Sequence, residues 1–586
     1  MRAVTMVLFL AVAARAGKEN LVENGGFEKG MDGWVFIDNS GNTKQDLDRQ
    51  VKKEGGQSLH LKKTGGPPFD VLRTDLGALR AGGKVSVTAS FKAQGVQNGW
   101  LKIFFYDKSG ETIEQGADVK SLAGTYDWKE IKISNDVPKG TASAAIFMLI
   151  VQPGELWIDE VRVTGAPADP PKKKKSQPLD GRIPKRLDAK TRVWLDRNAI
   201  QVKTLEFGAG TGDLERLKPL LERVRIVQLG EQSHMDGASF RAKARLARFL
   251  HEEMGFDVIA FESGLYECEK ANGLLAEGKG KAAMHASIFG IWRVEEALAL
   301  FEYMASKKTL RLSGFDTRGS GAAATEFFPD LYQFLKPAGE VSAADQEALA
   351  VIDGKLNGHP YDPTGAERDA AHAALGRVRK LFDDSRAKLV EKHGEPETEF
   401  FSRSIDNYLV RERFEFAMTQ EDKDLPGNMR DEQMAKNLQW LADVRYPDKK
   451  ILTWAATSHQ AHNLTKVKIG GSSEQYERWK NMGQYVHDWY GEKVFTIGFA
   501  ALEGKAGRFA PMFDLAEPKE GSFEDLLGRY GHPLVFVPLR GESPFEAPMF
   551  CSPMSYDRSI EAPWPQVLDA LFFTREMTPT KWVPAD

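Results

Sequence analysis

Cysteine is nearly missing: the 586-residue chain has only two, Cys268 and Cys551. Two thiols make no disulfide scaffold, so the fold must hold by burial, which a chain of this length can do. The two could pair if the protein is exported; otherwise they are small core side chains. Long apolar runs are missing too. Beyond the first residues no stretch approaches the ~20 apolar residues of a membrane helix, so no transmembrane segment is expected. No basic stripe is interleaved with aromatics and the formal net charge is −4. Nothing therefore asks for a nucleic-acid partner.

What is present begins at the first residue. Met1-Arg2 is a short positive start, Val4 to Val12 is apolar, and Ala14-Arg15-Ala16 is a small-residue cleavage pattern. This reads as a signal peptide, 1–16, and hence as export. A buried N-terminal strand is the alternative.

At ~150 residues per domain the length predicts two to four domains. The clearest boundary is a linker at 166–186. It holds Pro167, Pro170 and Pro171, then Lys172 to Lys175, then Pro178. Prolines and a like-charge run favour an extended, solvated segment. Before it, residues 19–165 read as an all-β jelly-roll sandwich. Strands are expected at Ser58–Leu61, Lys84–Ala93, Trp100–Tyr106, Trp128–Ile133, Ala144–Val151 and Glu155–Val163, separated by Gly or Pro.

After the linker, 187–586 reads as an α/β unit. Strands are expected at Arg223–Leu229, Phe256–Phe261, Leu310–Phe315, Lys450–Ala455, Lys493–Ala500 and Leu534–Val537. Strands alternating with helices predict a largely parallel sheet covered on both faces. A long helical insertion, about 320–445, is expected to cap the end of the sheet. Its helices are placed at Asp345–Leu356, Ala366–Lys392, Glu397–Thr419 and Arg430–Val444.

In open α/β sheets ligands bind beyond the carboxyl ends of the strands. The first expected exit carries Glu231 and His234, the second Glu262, the third Asp316 and Arg318, the fourth His459 and His462. A single carboxylate after a strand is ordinarily a helix cap or a solvated loop group. Four exits in a row, each with ionisable groups, point to a site. On the helix after His234, Lys243 falls on the apolar face of Phe240, Ala247, Leu250 and Met254. It must either snorkel outward or pair with an acid such as Glu231 or Glu262.

Two glutamates and two histidines suit general acid–base work. A histidine oriented by a carboxylate could activate water against an ester carbonyl, with Lys243 or Arg318 holding the carboxylates or an oxyanion. No Gly-x-Ser-x-Gly elbow stands at any strand exit, which argues against a standard serine esterase. A divalent metal held by Glu231, His234, His459 and His462 is the alternative. His459 and His462 follow a strand rather than sitting in an H-E-x-x-H helix, so no metal or other cofactor is expected.

These motifs resemble the erythromycin esterase family. The likeness lies in Leu229 to His234, Glu253 to Phe256, Ala260 to Glu262, Gly314 to Arg318, Arg430-Asp431 with Met434 to Asn437, His459 to Asn463, and Met482-Gly483. It spans roughly Leu195 to Trp582. The resemblance implies metal-independent hydrolysis of an ester, in type members a macrolactone. It implies His234 as the base that activates water, with Glu231, Glu262, His459 and Lys243 in the catalytic group. His462, Asp316, Arg318 and Arg430 are expected to hold substrate. Lys243 departs from the family, whose macrolide-active members carry arginine there, and the charge is kept without the bidentate fork. The insertion is also long. Both points put a macrolide substrate in question. Asn24 to Glu28 with Gly33-Trp34, and Leu156 to Val161, resemble jelly-roll carbohydrate-binding modules, which implies a polysaccharide partner. Trp100 or Tyr106 could stack on sugar rings; otherwise they are core.

Overall fold

The computed structural model describes residues 20–584 except 39–41, 66–68, 107–111, 116–118, 168–186, 235, 358–360, 421–423 and 508–511. The signal peptide expected at 1–16 lies outside the described residues, as does nearly all of the linker expected at 166–186.

Residues before the linker form a two-sheet antiparallel β-sandwich. One sheet runs in the order Val35–Ile37, Asp70–Gly77, Ser143–Ile150, Gly99–Tyr106 and Thr112–Gln115, with Lys120–Ser121 on the flank. The other runs Thr43–Asp48, Ser58–Lys63, Gly154–Gly165, Lys84–Val96 and Gly124–Asp136. Side chains alternate across a strand, so Leu101, Ile103 and Phe105 point inward together and meet Val85, Val87 and Phe91 of the other sheet. All six expected strands are present. Val35–Ile37, Thr43–Asp48 and Asp70–Gly77 were not expected.

The remainder is an α/β unit on a nine-stranded mixed sheet. Six neighbouring strands are parallel: Ala570–Met577, Val494–Ala506, Ile226–Leu229, Lys450–Trp454, Phe256–Gly264 and Arg311–Asp316. Leu534–Pro538 adds an antiparallel strand at one edge, and Ile200–Gln201 pairs antiparallel with it. Both faces are apolar, as a covered parallel sheet requires. Val227, Leu229, Ile259 and Phe261 pack under Phe240, Leu250 and Phe301. Ile226, Val258 and Ala260 pack under Leu331, Ile405 and Leu438. The two cysteines are buried and free. Among the described residues no helix is long and apolar enough to cross a membrane.

Among the described residues the insertion is mainly helical, in Phe327–Leu335, Ala343–Leu356, Gly365–Asp384, Arg386–His393, Glu395–Met418 and Asp424–Trp440. The single helix expected at Ala366–Lys392 is two. It breaks at Ser385, where the backbone leaves helical geometry at φ −109° and ψ 9°. Serine weakens a helix interior because its hydroxyl competes for backbone partners.

The two parts of the molecule touch through an unusual surface. Ile37, Val71 and Leu149 lie on the outer face of the sandwich and cluster with Trp100, Phe147 and Trp582. Trp100 packs on this cluster and is partly buried. Tyr106 lies under the Arg73 guanidinium, 5.8 Å from its ring centre.

Candidate active site

Leu229 ends its strand fully buried, and Gly230 turns the chain. A Cβ there would lie 2.3 Å from the Thr457 hydroxyl, so only glycine lets the two strand exits approach. The turn drops Glu231 into the interior, fully buried. Its Oε1 accepts from the His234 ring at 2.7 Å and from the Trp292 indole at 3.0 Å, and its Oε2 accepts from Lys243 Nζ at 2.5 Å. Lys243 thus pairs rather than snorkels. It is fully buried, with its ammonium 4.3 Å from the centre of the Trp454 ring.

A carboxylate only accepts, so the 2.7 Å contact puts a proton on His234 Nδ1. The neutral ring then keeps its lone pair on Nε2. The His234 side chain is 39% exposed and lines a cavity. Burial opposes the charged ring, but the hydrogen bond and charge of Glu231 outweigh it and hold the His234 pKa above its ordinary value. Burial would likewise raise Glu231, yet Lys243 and His234 keep it below the usual carboxylate range. Burial takes Lys243 down to about 8 despite Glu231 beside it.

A second cluster stands across the next exits. The Arg430 guanidinium donates to Asp316 Oδ1 at 3.0 Å and Oδ2 at 2.6 Å, and to Glu262 Oε1 at 2.8 Å. Glu262 Oε2 also accepts from the Ala456 amide at 3.0 Å. His459 has its Nδ1 2.8 Å from Asp431 and its Nε2 3.2 Å from Arg430 and 3.4 Å from Glu262. Burial works against the Glu262 charge, but His459, Arg430 and His234 overcome it and hold the carboxyl at about 2. Burial also works against charge on His459, and Asp431 and Glu262 raise it.

The structure therefore gathers Glu231, His234, Lys243, Glu262, Asp316, Arg430 and His459. Arg318 lines the same cavity, 3.6 Å from Glu415. His462 does not line it: its ring stacks on His487 at 3.9 Å. Its side chain lies elsewhere because Gln460 turns inward between it and His459, bonding Thr453 at 2.9 Å and the Leu229 carbonyl at 3.0 Å. Among the described residues no group of acids, histidines and cysteines is arranged to hold a metal.

Sequence reasoning missed Trp292 and did not assign Asp431 a role. Asp431 follows Arg430 on its helix, and its carboxylate gathers His459, the Trp479 indole at 3.0 Å and the Met482 amide at 2.9 Å. The same helix sends Asn437 to the Phe315 carbonyl at 2.9 Å, fixing it to the end of the Asp316 strand. Gly483 packs on the segment after His459, where a Cβ would sit 2.1 Å from the Gln460 carbonyl. Gly483→Ala is expected to cost about 1–3 kcal/mol by overpacking, read as a fall in the urea midpoint, and to lower turnover by shifting His459.

The family model described as erythromycin esterase matches residues 251–570, and the chain belongs to the erythromycin esterase family. Glu262, Asp316, Arg430 and His459 lie within the matched span; Glu231, His234 and Lys243 precede it. YbfO of Bacillus subtilis (strain 168), which carries a provisional hydrolase name, is 28% identical over 385 residues, 59% of this chain and 80% of its own. Erythromycin esterase type II of Escherichia coli is 23% identical over 379 residues, 59% of this chain and 87% of its own. The solved structure of a succinoglycan biosynthesis protein has a TM-score of 0.54 at 19% identity, over 67% of this chain and 97% of its own. That likeness is one of fold.

Proposed function

We propose that this chain is a hydrolase that cleaves an ester or lactone with water activated by His234. The observation that carries the reading is the Glu231–His234 pair, with a buried carboxylate fixing the tautomer of a ring that stands on a cavity. His234 Nε2 takes a proton from water while the water oxygen bonds to the carbonyl carbon. Arg318, which lines the cavity, supplies positive charge toward the developing oxyanion, and Arg430 and His459 fix the carboxylates beside it. As the carbon–oxygen bond of the ester breaks, the His234 proton passes to the leaving alkoxide. Lys243 holds Glu231 ionised and in place, and Arg318 serves the substrate. A macrolide belongs among the substrates to be tried. The leader pattern supports export. The resemblance of the sandwich to carbohydrate-binding modules supports affinity for polysaccharide, which co-sedimentation with insoluble glycans measures.

The test is hydrolysis of macrolides, aryl esters and acylated sugars by the folded protein, with and without chelator. Turnover that survives chelator supports the reading, and folded protein that cleaves no ester overturns it. The pH profile gives a sharper check. A base whose pKa is raised by Glu231 is neutral only above that raised value, so kcat/KM rises with pH through a midpoint above 6.5. Glu231→Gln removes the charge that raises it. The midpoint then moves to lower pH while the plateau falls, and a midpoint that stays put would exclude His234 as the titrating base.

A further inference from the structure

The catalytic cavity has a volume of about 500 Å³, within the size range of small-molecule sites. His234, Glu262, Arg430 and His459 belong to its polar lining, with Arg293, Arg318, Arg411 and Glu415. Another part of the lining comes from far away in sequence: Ile37, Phe69, Val71 and Phe147, all on the sandwich. Three of these lie on adjacent strands of one sheet. Ile37 pairs with Val71, Val71 with Leu149, and Phe147 lies two residues from Leu149 on the same face. The neighbours Leu72, Ile146 and Met148 point the other way, into the sandwich core.

An antiparallel sheet commonly leaves its outer face solvated and polar. Here one end of that face is apolar, bounded by the Arg73 guanidinium 5.1 Å from the centre of the Phe147 ring; Ile37 is 6% exposed and Val71 is 3% exposed. Trp582 of the α/β part completes the cluster. From the α/β side Phe289 and Ile291 continue the apolar lining. The contact is electrostatic as well: Asp38 and Asp70 of the sandwich act on the buried Arg293 guanidinium, which also lines the cavity.

We infer that the sandwich is a wall of the catalytic cavity, and that Ile37, Phe69, Val71 and Phe147 form an apolar subsite for the bulky hydrocarbon part of an ester. The polar lining holds the reacting carbonyl, and the sandwich selects what is attached to it. The substrate class is thus an ester with a large apolar acyl, alkyl or ring portion. This rests on the ester-hydrolase reading for the reaction, but not for the wall.

The test compares p-nitrophenyl octanoate with p-nitrophenyl acetate in the full chain, wild type against Phe147→Ala and Phe147→Leu, with unfolding midpoints measured for each. Phe147→Ala should lower the octanoate-to-acetate ratio of kcat/KM about tenfold, through KM, because hydrophobic pockets discriminate at that scale. Phe147→Leu should restore most of it. A ratio unchanged in Phe147→Ala overturns the wall. Binding of 8-anilinonaphthalene-1-sulfonate separates the two readings. If wild type cleaves neither ester, the hydrolase reading loses support. A saturable site for this dye that Phe147→Ala weakens and Phe147→Leu keeps would still uphold the wall. Equal dye affinity in all three proteins would overturn it.

Discussion

His234→Ala lowers kcat/KM for a cleaved ester by about 10²–10⁴-fold at neutral pH, the range that a lost general base ordinarily gives. The same change leaves the unfolding midpoint within about 2 °C of wild type, because it removes a partly exposed ring at the mouth of a cavity. Glu231 does not become an orphan charge in this variant. Lys243 and the Trp292 indole still hold its two oxygens, at 2.5 and 3.0 Å. Activity and stability therefore separate, which a merely structural histidine would not allow. Full activity in a folded His234→Ala protein would sink the water-activation mechanism.

Arg430→Ala has the largest expected effect on stability. Its guanidinium is the charge partner of two carboxylates at once, and Glu262 and Asp316 are 5% and 0% exposed. Removing one partner of a buried pair costs about 3–5 kcal/mol, since the other is left uncompensated. The sign of the pH dependence follows from Glu262, whose pKa is lowered from 4.5 to about 2 in the fold. The stability gained from that lowering is fully present above 4.5 and is lost as pH falls through about 2. Arg430→Ala forfeits much of it. The gap between wild type and variant, read from urea unfolding, is therefore widest near neutrality and narrows below 4.5. A gap that is constant from pH 7 to pH 3 would show that Arg430 acts by packing alone.

The catalytic cluster was legible because a parallel sheet presents its chemistry where the strands end. Glu231 and His459 follow strands that read as apolar runs, and Glu262 and Asp316 lie in the last residues of theirs. Trp292 was not legible, because it reaches Glu231 from a short helical turn with no strand before it. The Ala570–Met577 strand was missed for a topological reason. No helix longer than a turn separates it from Leu534–Pro538, its antiparallel neighbour, so the strand–helix alternation fails there. The Asp70–Gly77 strand was missed because Val71 and Leu72 are both buried. One faces the α/β part and the other the sandwich core, so the period-two pattern of a half-exposed strand is erased.

That doubly covered sheet bears on how the protein can be cut and recombined. Val71, Leu149 and Ile37 are dry only while Trp582 and its neighbours lie against them. A fragment trimmed to either half would bare a contiguous greasy surface, the kind that drives self-association. Shuffling this sandwich onto an unrelated enzyme would then yield inclusion bodies rather than a portable anchor.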